Sequence, residues 1–173
     1  MKPSNRVSKI EYYLNIAQAV AQRSTCSRRK FGAIIVKNDS ILSTGFNGSA
    51  RGTYNCGVDV PCIKDIHKEE HYTSYRHCPA IHGEMNAIIN AARHGTSVLD
   101  GTLYLSPFDR KSGDRPCHLC RRMMINAGIR DCYYINNQGE IAHEQRDFWV
   151  ELENKETFGE YLNVTRNGER NDE

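Results

Sequence analysis

The chain has 173 residues, 39% hydrophobic and 25% charged, and its 23 basic and 21 acidic residues give a formal net charge of +2. This length supports a single domain, 1–173, with its own core and leaves little for a second. The near-neutral balance argues against a nucleic-acid partner, whose domains carry a clearer basic excess, and no apolar run approaches the roughly 18 residues that a membrane helix needs.

The opening segment MKPSNRVSKIEYYLNIAQAV has neither the apolar run nor the small-residue cleavage site of a signal peptide. A cytoplasmic location is therefore the expectation. Ser8 caps a predicted first helix in which Ile10, Tyr13, Leu14, Ala17, Val20 and Ala21 share one face. The short basic cluster Ser27–Lys30 reads as a solvated turn, with a phosphate site as the alternative. FGAIIVKN reads as a buried strand, Asn38-Asp39 as a turn and SILSTGF as a second strand, together a hairpin. From Asn47 to Ala80 no period is visible, and Gly, Pro, Cys, His and Tyr dominate. That segment, about 47–80, reads as a long ordered insertion; a loop of such length is expected to be functional or stapled. A helix is predicted from His82 to His94, closed by Gly95. TLYLS follows as a strand, FDRKSGDR as a polar loop, and Cys117–Ala127 as a helix closed by Gly128. DCYYIN is a predicted strand and NNQG a turn. A final helix is predicted from Glu144 to Lys155, before a flexible tail at about 165–173. Helices alternating with strands give a layered α/β domain.

Seven cysteines are present: Cys26, Cys56, Cys62, Cys78, Cys117, Cys120 and Cys132. An odd count in a reducing compartment points to metal binding rather than to a disulfide framework. Cys117 and Cys120, in PCHLC, lie three apart at a predicted helix start, so both thiols can face one point. The positive end of the helix favours the thiolate form that binds zinc. His82, in HGEMNAI at another helix start, supplies a third ligand. Three protein ligands leave one tetrahedral position for water, as a catalytic zinc requires, and such a water is acidified toward neutral pH. Glu84, two residues past His82, is placed to take that proton and pass it on. Singly, each residue has an ordinary reading: a helix cap, half of a structural site, a favourable charge in a first turn. Joined, H-x-E with P-C-x-x-C is the signature of zinc nucleobase deaminases.

Three stretches, STCSRRKFGAIIVKNDSILSTGFNGSARG, HGEMNAIINAARHG and RPCHLCRRMMINAGI, carry a wider resemblance. In that order they resemble the deoxycytidylate (dCMP) deaminases of bacterial or phage type, within the zinc cytidine deaminase superfamily, over about Ile10 to Tyr134. The resemblance implies a three-layer α/β/α sandwich with a mixed five-stranded sheet. It implies zinc on His82, Cys117 and Cys120, with Glu84 as proton shuttle and Asn47 binding the nucleoside near its sugar. The implied reaction converts dCMP to dUMP and feeds dTTP synthesis. Many members are hexamers, activated by dCTP and inhibited by dTTP, and Arg93 matches a position tied to that regulation. A second, structural zinc in the insertion is also implied. Cys26 and Cys56 match its ligand positions, Cys62 and Cys78 are companions, and His67, His71 or His77 could replace one of them. A closed tetrahedral site would staple the irregular segment. Cys132, in a predicted strand, reads as a small buried apolar residue.

Two departures stand out. Gly83 occupies a position where the family usually has Ala. The loop SPFDRKSGDR is longer than in compact relatives, and its Arg110, Lys111 and Arg115 are candidates to reach a phosphate, with solvation the plainer reading of each. Two other functional classes compete. A deaminase of a base in tRNA or single-stranded DNA would use the same zinc but must grip a charged backbone, which the near-neutral balance disfavours. A purely structural zinc module would have no need of Glu84 beside an open coordination position. Whether dCTP is also a substrate stays open at this point.

Overall fold

Ser8 starts the first helix, α1 (Lys9–Ala21), by accepting a hydrogen bond from the Glu11 amide at 3.1 Å. Tyr13, Leu14, Ala17 and Ala21 form its buried face. The computed structural model describes residues 6–69 and 77–159. After α1 come the strands β1 (Phe31–Lys37) and β2 (Ser40–Phe46), joined as expected by Asn38-Asp39. Both turn residues have positive φ, 50° and 59°, the geometry that matches the twist of a two-residue hairpin. The insertion holds β3 (Gly48–Ser49), α2 (Ile63–Ile66) and β4 (Ala80–Ile81). Antiparallel pairing of β3 with β4 closes its base. The helix α3 (Gly83–Arg93) follows, then β5 (Thr102–Pro107), α4 (His118–Asn126), β6 (Asp131–Ile135), β7 (Ile141–Gln145) and α5 (Arg146–Glu153). Gly95 and Gly128 end α3 and α4 at φ 66° and 73°, as the sequence predicts.

Five strands form one mixed sheet in the order β2-β1-β5-β6-β7. Only β5 and β6 run parallel, and α4 lies in the crossover that a parallel pair requires. Side chains alternate across the central strands and so feed two cores. Ala33, Ile35, Leu103, Leu105 and Cys132 pack with Ala87 and Ala91 of α3, Met124 of α4 and Trp149 of α5. Ile34, Val36, Tyr104 and Ile135 pack with Tyr13, Leu14 and Ala17 of α1. The result is the expected three-layer α/β/α sandwich. Among the described residues no helix is long and apolar enough to cross a membrane.

The predicted final helix begins too early. Residues Ile141–Gln145 form β7, antiparallel to β6, and α5 starts only at Arg146. This edge strand is exposed on alternate residues and mostly polar, so it lacks the apolar alternation that marks a strand in sequence. Its side chains are held by distant partners. Glu144 accepts hydrogen bonds from Tyr134 Oη at 2.8 Å and Trp149 Nε1 at 2.9 Å, and the His143 ring stacks on Tyr133.

The close approach of α3 to the sheet depends on Gly45 in β2. A Cβ there would lie 2.2 Å from the Ala87 amide nitrogen and 2.3 Å from the Gly83 carbonyl oxygen. Both are backbone atoms and cannot turn aside. We expect Gly45→Ala to push α3 outward and cost about 1–3 kcal/mol or more, read as a lowered denaturation midpoint together with reduced turnover.

Candidate active site

The site forms where α3 and α4 present their first turns to one point. Asn86 fixes the start of α3 by donating to the Phe46 carbonyl at 2.8 Å. His82 and Cys117 occupy the N-cap positions of α3 and α4 in extended conformation, yet neither side chain caps its helix. Both are thereby left to meet each other. The thiols of Cys117 and Cys120 each lie 3.4 Å from His82 Nδ1. All three ligand atoms lie within 4.8 Å of one another, the group of this kind found among the described residues. For a tetrahedral zinc with ordinary Zn–N and Zn–S bonds, the N···S edge is about 3.5 Å. One imidazole and two thiols at this spacing therefore fit zinc in both donor chemistry and geometry. Cys120 is fully buried, as is Pro116, which precedes Cys117 in the chain.

Glu84 stands in the first turn of α3, 5% exposed. Burial pushes its carboxyl up from the usual carboxylate range, while His82 and the residue's own amide pull the other way. A buried carboxyl beside an imidazole–thiol set is placed to move protons.

Gly83 fits the same geometry. A Cβ added there meets nothing closer than 3.5 Å, from the Gly45 and Phe31 carbonyl oxygens. The usual Ala would be accommodated, so the freedom that Gly adds is not required by the packing. Gly83→Ala is expected to raise stability by about 0.5–1 kcal/mol, measured by denaturant unfolding, with zinc content unchanged.

His82, Gly83, Glu84 and Cys117 line a cavity of about 160 Å³ whose wall also includes Asn47 and Phe31. Asn47 spends its amide on the chain that frames the cavity: Oδ1 accepts from the Phe31 amide and Nδ2 donates to the Arg29 carbonyl, both at 2.8 Å. Of the three basic residues in the 107–115 loop, only Arg115 lines the cavity. Arg110 pairs with Glu11 at 2.6 Å and Lys111 is exposed. Arg93 is exposed at the far end of α3.

Cys26, Cys56, Cys62 and Cys78 line a second, smaller cavity of about 30 Å³. All are free thiols, and burial, aided by Cys62, pushes the Cys56 thiol up. They share one cavity without drawing together as tightly as His82, Cys117 and Cys120. His67 and His77 stack on each other with centroids 4.3 Å apart and line neither cavity. His71 and the 165–173 tail lie outside the described residues. Cys132 is fully buried in β6, as its reading as an apolar residue expects.

One reading of the sequence needs correction. The Ser27–Lys30 cluster is not simply a solvated turn: Arg28 and Arg29 line the active-site cavity, as does Lys64 of α2. The available signal was the position of the arginine pair, directly between STC and β1.

The sheet order, the two helix starts and the His–Cys–Cys set with its buried carboxyl define a class, the zinc-dependent deaminase domain. Residues 7–136 match the cytidine and deoxycytidylate deaminase zinc-binding region, and the chain belongs to that family of enzymes. It is 32% identical over 131 residues to the deoxycytidylate deaminase of Mycobacterium phage D29, covering 72% of this chain and 91% of that one. Two crystal structures of the dCMP deaminase from cyanophage S-TIM5 are also similar. The apo form superposes with a TM-score of 0.58 at 29% identity, covering 88% of this chain and 94% of that one. The form in complex with dCMP and dUMP gives 0.56 at 30% identity, covering 78% and 90%.

Proposed function

We propose that this protein converts dCMP to dUMP and ammonia, with His82, Cys117 and Cys120 holding zinc and Glu84 moving the protons. The observation that carries the reading is the meeting of His82 Nδ1 with two thiols at 3.4 Å beside a buried glutamate. The similarity to a phage enzyme crystallised with dCMP and dUMP supports the choice of substrate. When bound, zinc supplies an acidified water as nucleophile. Glu84 would take a proton from the attacking water and deliver it to ring nitrogen N3. It would then relay the remaining proton of the new C4 hydroxyl to the departing amine. A C4–O bond forms, the C4–N bond breaks, one water is consumed and ammonia leaves. Asn47 frames the sugar end of the cavity by fixing the backbone at Arg29 and Phe31.

The finer features belong to the same proposal. A second, structural zinc sits among Cys26, Cys56, Cys62 and Cys78, supported by the cavity they share. The chain acts as one domain with the 47–80 segment as its stapled insertion. It works in the cytoplasm as a homo-hexamer that feeds dTTP synthesis. Activation by dCTP and inhibition by dTTP are read through Arg93, whose exposure on α3 leaves it accessible to a neighbouring subunit.

The test is ammonia release from dCMP, dCTP, CMP and deoxycytidine side by side, with zinc per chain measured on the same sample. Fast turnover of dCMP, raised by dCTP and suppressed by dTTP, with two zinc ions per chain, is the expected result. Full zinc with no turnover of any free nucleotide would overturn the reading and direct the search to a base within a nucleic acid.

A further inference from the structure

The two edges of the main sheet are built differently. At the β2 edge the pairing with β1 is interrupted by a register shift between Ile35 and Val36, an irregularity of the kind that blunts an edge. At the other edge β7 pairs with β6 in unbroken register and carries neither Pro nor Lys. Ladder bonds in an antiparallel pair alternate along the strand. The Asn136 amide donates to the Glu140 carbonyl and the Arg146 amide to the Arg130 carbonyl, both at 2.9 Å. By that alternation Ala142 and Glu144 turn their backbone groups toward β6, and Ile141, His143 and Gln145 turn theirs outward. All three of these residues are exposed, and among the described residues no loop supplies them a backbone partner.

The outward row is already ordered. The His143 ring stacks on Tyr133 with centroids 4.3 Å apart, and its Nε2 lies 2.9 Å from Asp131. Gln145 donates to the same carboxylate at 3.2 Å. An edge held in this way loses little further freedom when it gains a strand. Charge selects what that strand is. Turned antiparallel about His143, β7 meets itself with Ile141 against Gln145 and Ala142 against Glu144. The flanking residues then bring Glu140 opposite Arg146. Both are available for pairing. Glu140 is exposed and accepts one hydrogen bond, from Asn136 at 3.2 Å. Arg146 makes long contacts, 3.5 Å to Asp100 and 3.4 Å to the Gly128 carbonyl. A slip of the register to either side sets Glu140 against Glu144, or Glu144 against its own copy, and like charges directly opposed destabilise a strand pair.

We propose that β7 is the docking edge for a second copy of this chain, joining the two sheets into one across a two-fold axis at His143. Under that symmetry the strand is its own complement. The outward amides and carbonyls of Ile141 and His143 continue the ladder into the second copy. Glu140 pairs with Arg146 of the second copy at one end, and Arg146 with Glu140 of the second copy at the other. The two His143 rings meet at the axis, each backed by its own Tyr133. Glu144 faces the small Ala142 of the second copy and keeps its bonds to Tyr134 and Trp149. The contact depends on neither the substrate nor the zinc.

The experiment measures mass in solution by sedimentation velocity for the wild type, Ile141→Lys, Glu140→Arg, Arg146→Glu and the double variant Glu140→Arg/Arg146→Glu. Circular dichroism checks that each is folded. Loss of a two-fold contact should halve the mass of the assembly in each single variant, and the charge swap in the double variant should restore it. His143→Cys reads the register. Residues opposed in a hydrogen-bonded pair have Cα atoms about 5.5 Å apart, within disulfide range. Mild oxidation of His143→Cys should therefore give a covalent dimer above the wild-type background. Gln145→Cys, which faces Ile141 of the second copy instead of itself, should not. Wild-type mass in every single variant, with no dimer from His143→Cys, would overturn the docking edge. So would a wild type that stays monomeric at every concentration tested. Ile141→Lys and the two cysteine variants decide the outcome if Arg146→Glu fails to fold.

Discussion

Glu84→Gln is expected to lower kcat for dCMP by about 10²- to 10⁴-fold while zinc content and cooperative unfolding persist. The side chain is buried in the first turn of α3, and burial already pushes its carboxyl up. Glutamine has the same shape and keeps one oxygen acceptor, so the packing around Gly45 and the approach of His82 to the two thiols are retained. What it loses is the ability to accept and return a proton. The expected signature is a fall in kcat with little change in KM, since the contact is needed in the transition state rather than for binding. Ammonia release together with metal analysis measures both halves. Retained turnover would remove Glu84 from the chemistry; lost zinc would make it a structural element of the site.

Cys120→Ser is expected to act one step earlier, by removing the metal. Cys120 is fully buried, and its thiol is one of two that face His82 Nδ1 at 3.4 Å. Serine presents a harder, less acidic oxygen on a shorter bond, a poor replacement for a thiolate on zinc. Outer-shell changes alone typically cost 10–100-fold in metal affinity, so loss of a direct ligand should exceed about 100-fold. The variant should purify with less zinc per chain than the wild type and no measurable deamination. Excess zinc in the assay should restore at most a small fraction of the rate. Full zinc and full activity in Cys120→Ser would refute the ligand set. The two variants separate roles that a loss of activity alone would merge, because Glu84→Gln keeps the metal and Cys120→Ser does not.

The His82–Cys117–Cys120 cluster and Glu84 are legible because each half of the site is local in sequence. His82 and Glu84 lie two apart and Cys117 and Cys120 three apart, and each pair begins a helix whose period and terminal glycine are visible without the fold. Residues that line the same cavity from other segments were less legible. Arg28 is a surface-like residue in a surface-like run until Asp65 and Glu69 close over it. Lys64 sits in a four-residue helix with no periodic signal. The resemblance makes Asn47 a substrate contact, but its backbone-directed hydrogen bonds depend on how β1 and the segment before it are placed.

The sequence by itself determined α1, the β1–β2 hairpin and the two helix starts with the residues they carry. Each rests on caps, turns and periodicities spanning a few residues, where the interacting groups are covalent near-neighbours. Tertiary structure decided the rest. The edge strand β7 exists because β6 offers it a partner and because Tyr134 and Trp149 hold Glu144 in place. The cationic wall exists because the insertion folds back over the residues before β1. In both cases the deciding contact lies outside the local segment, and polar side chains that leave no apolar pattern acquire their role only when that contact forms.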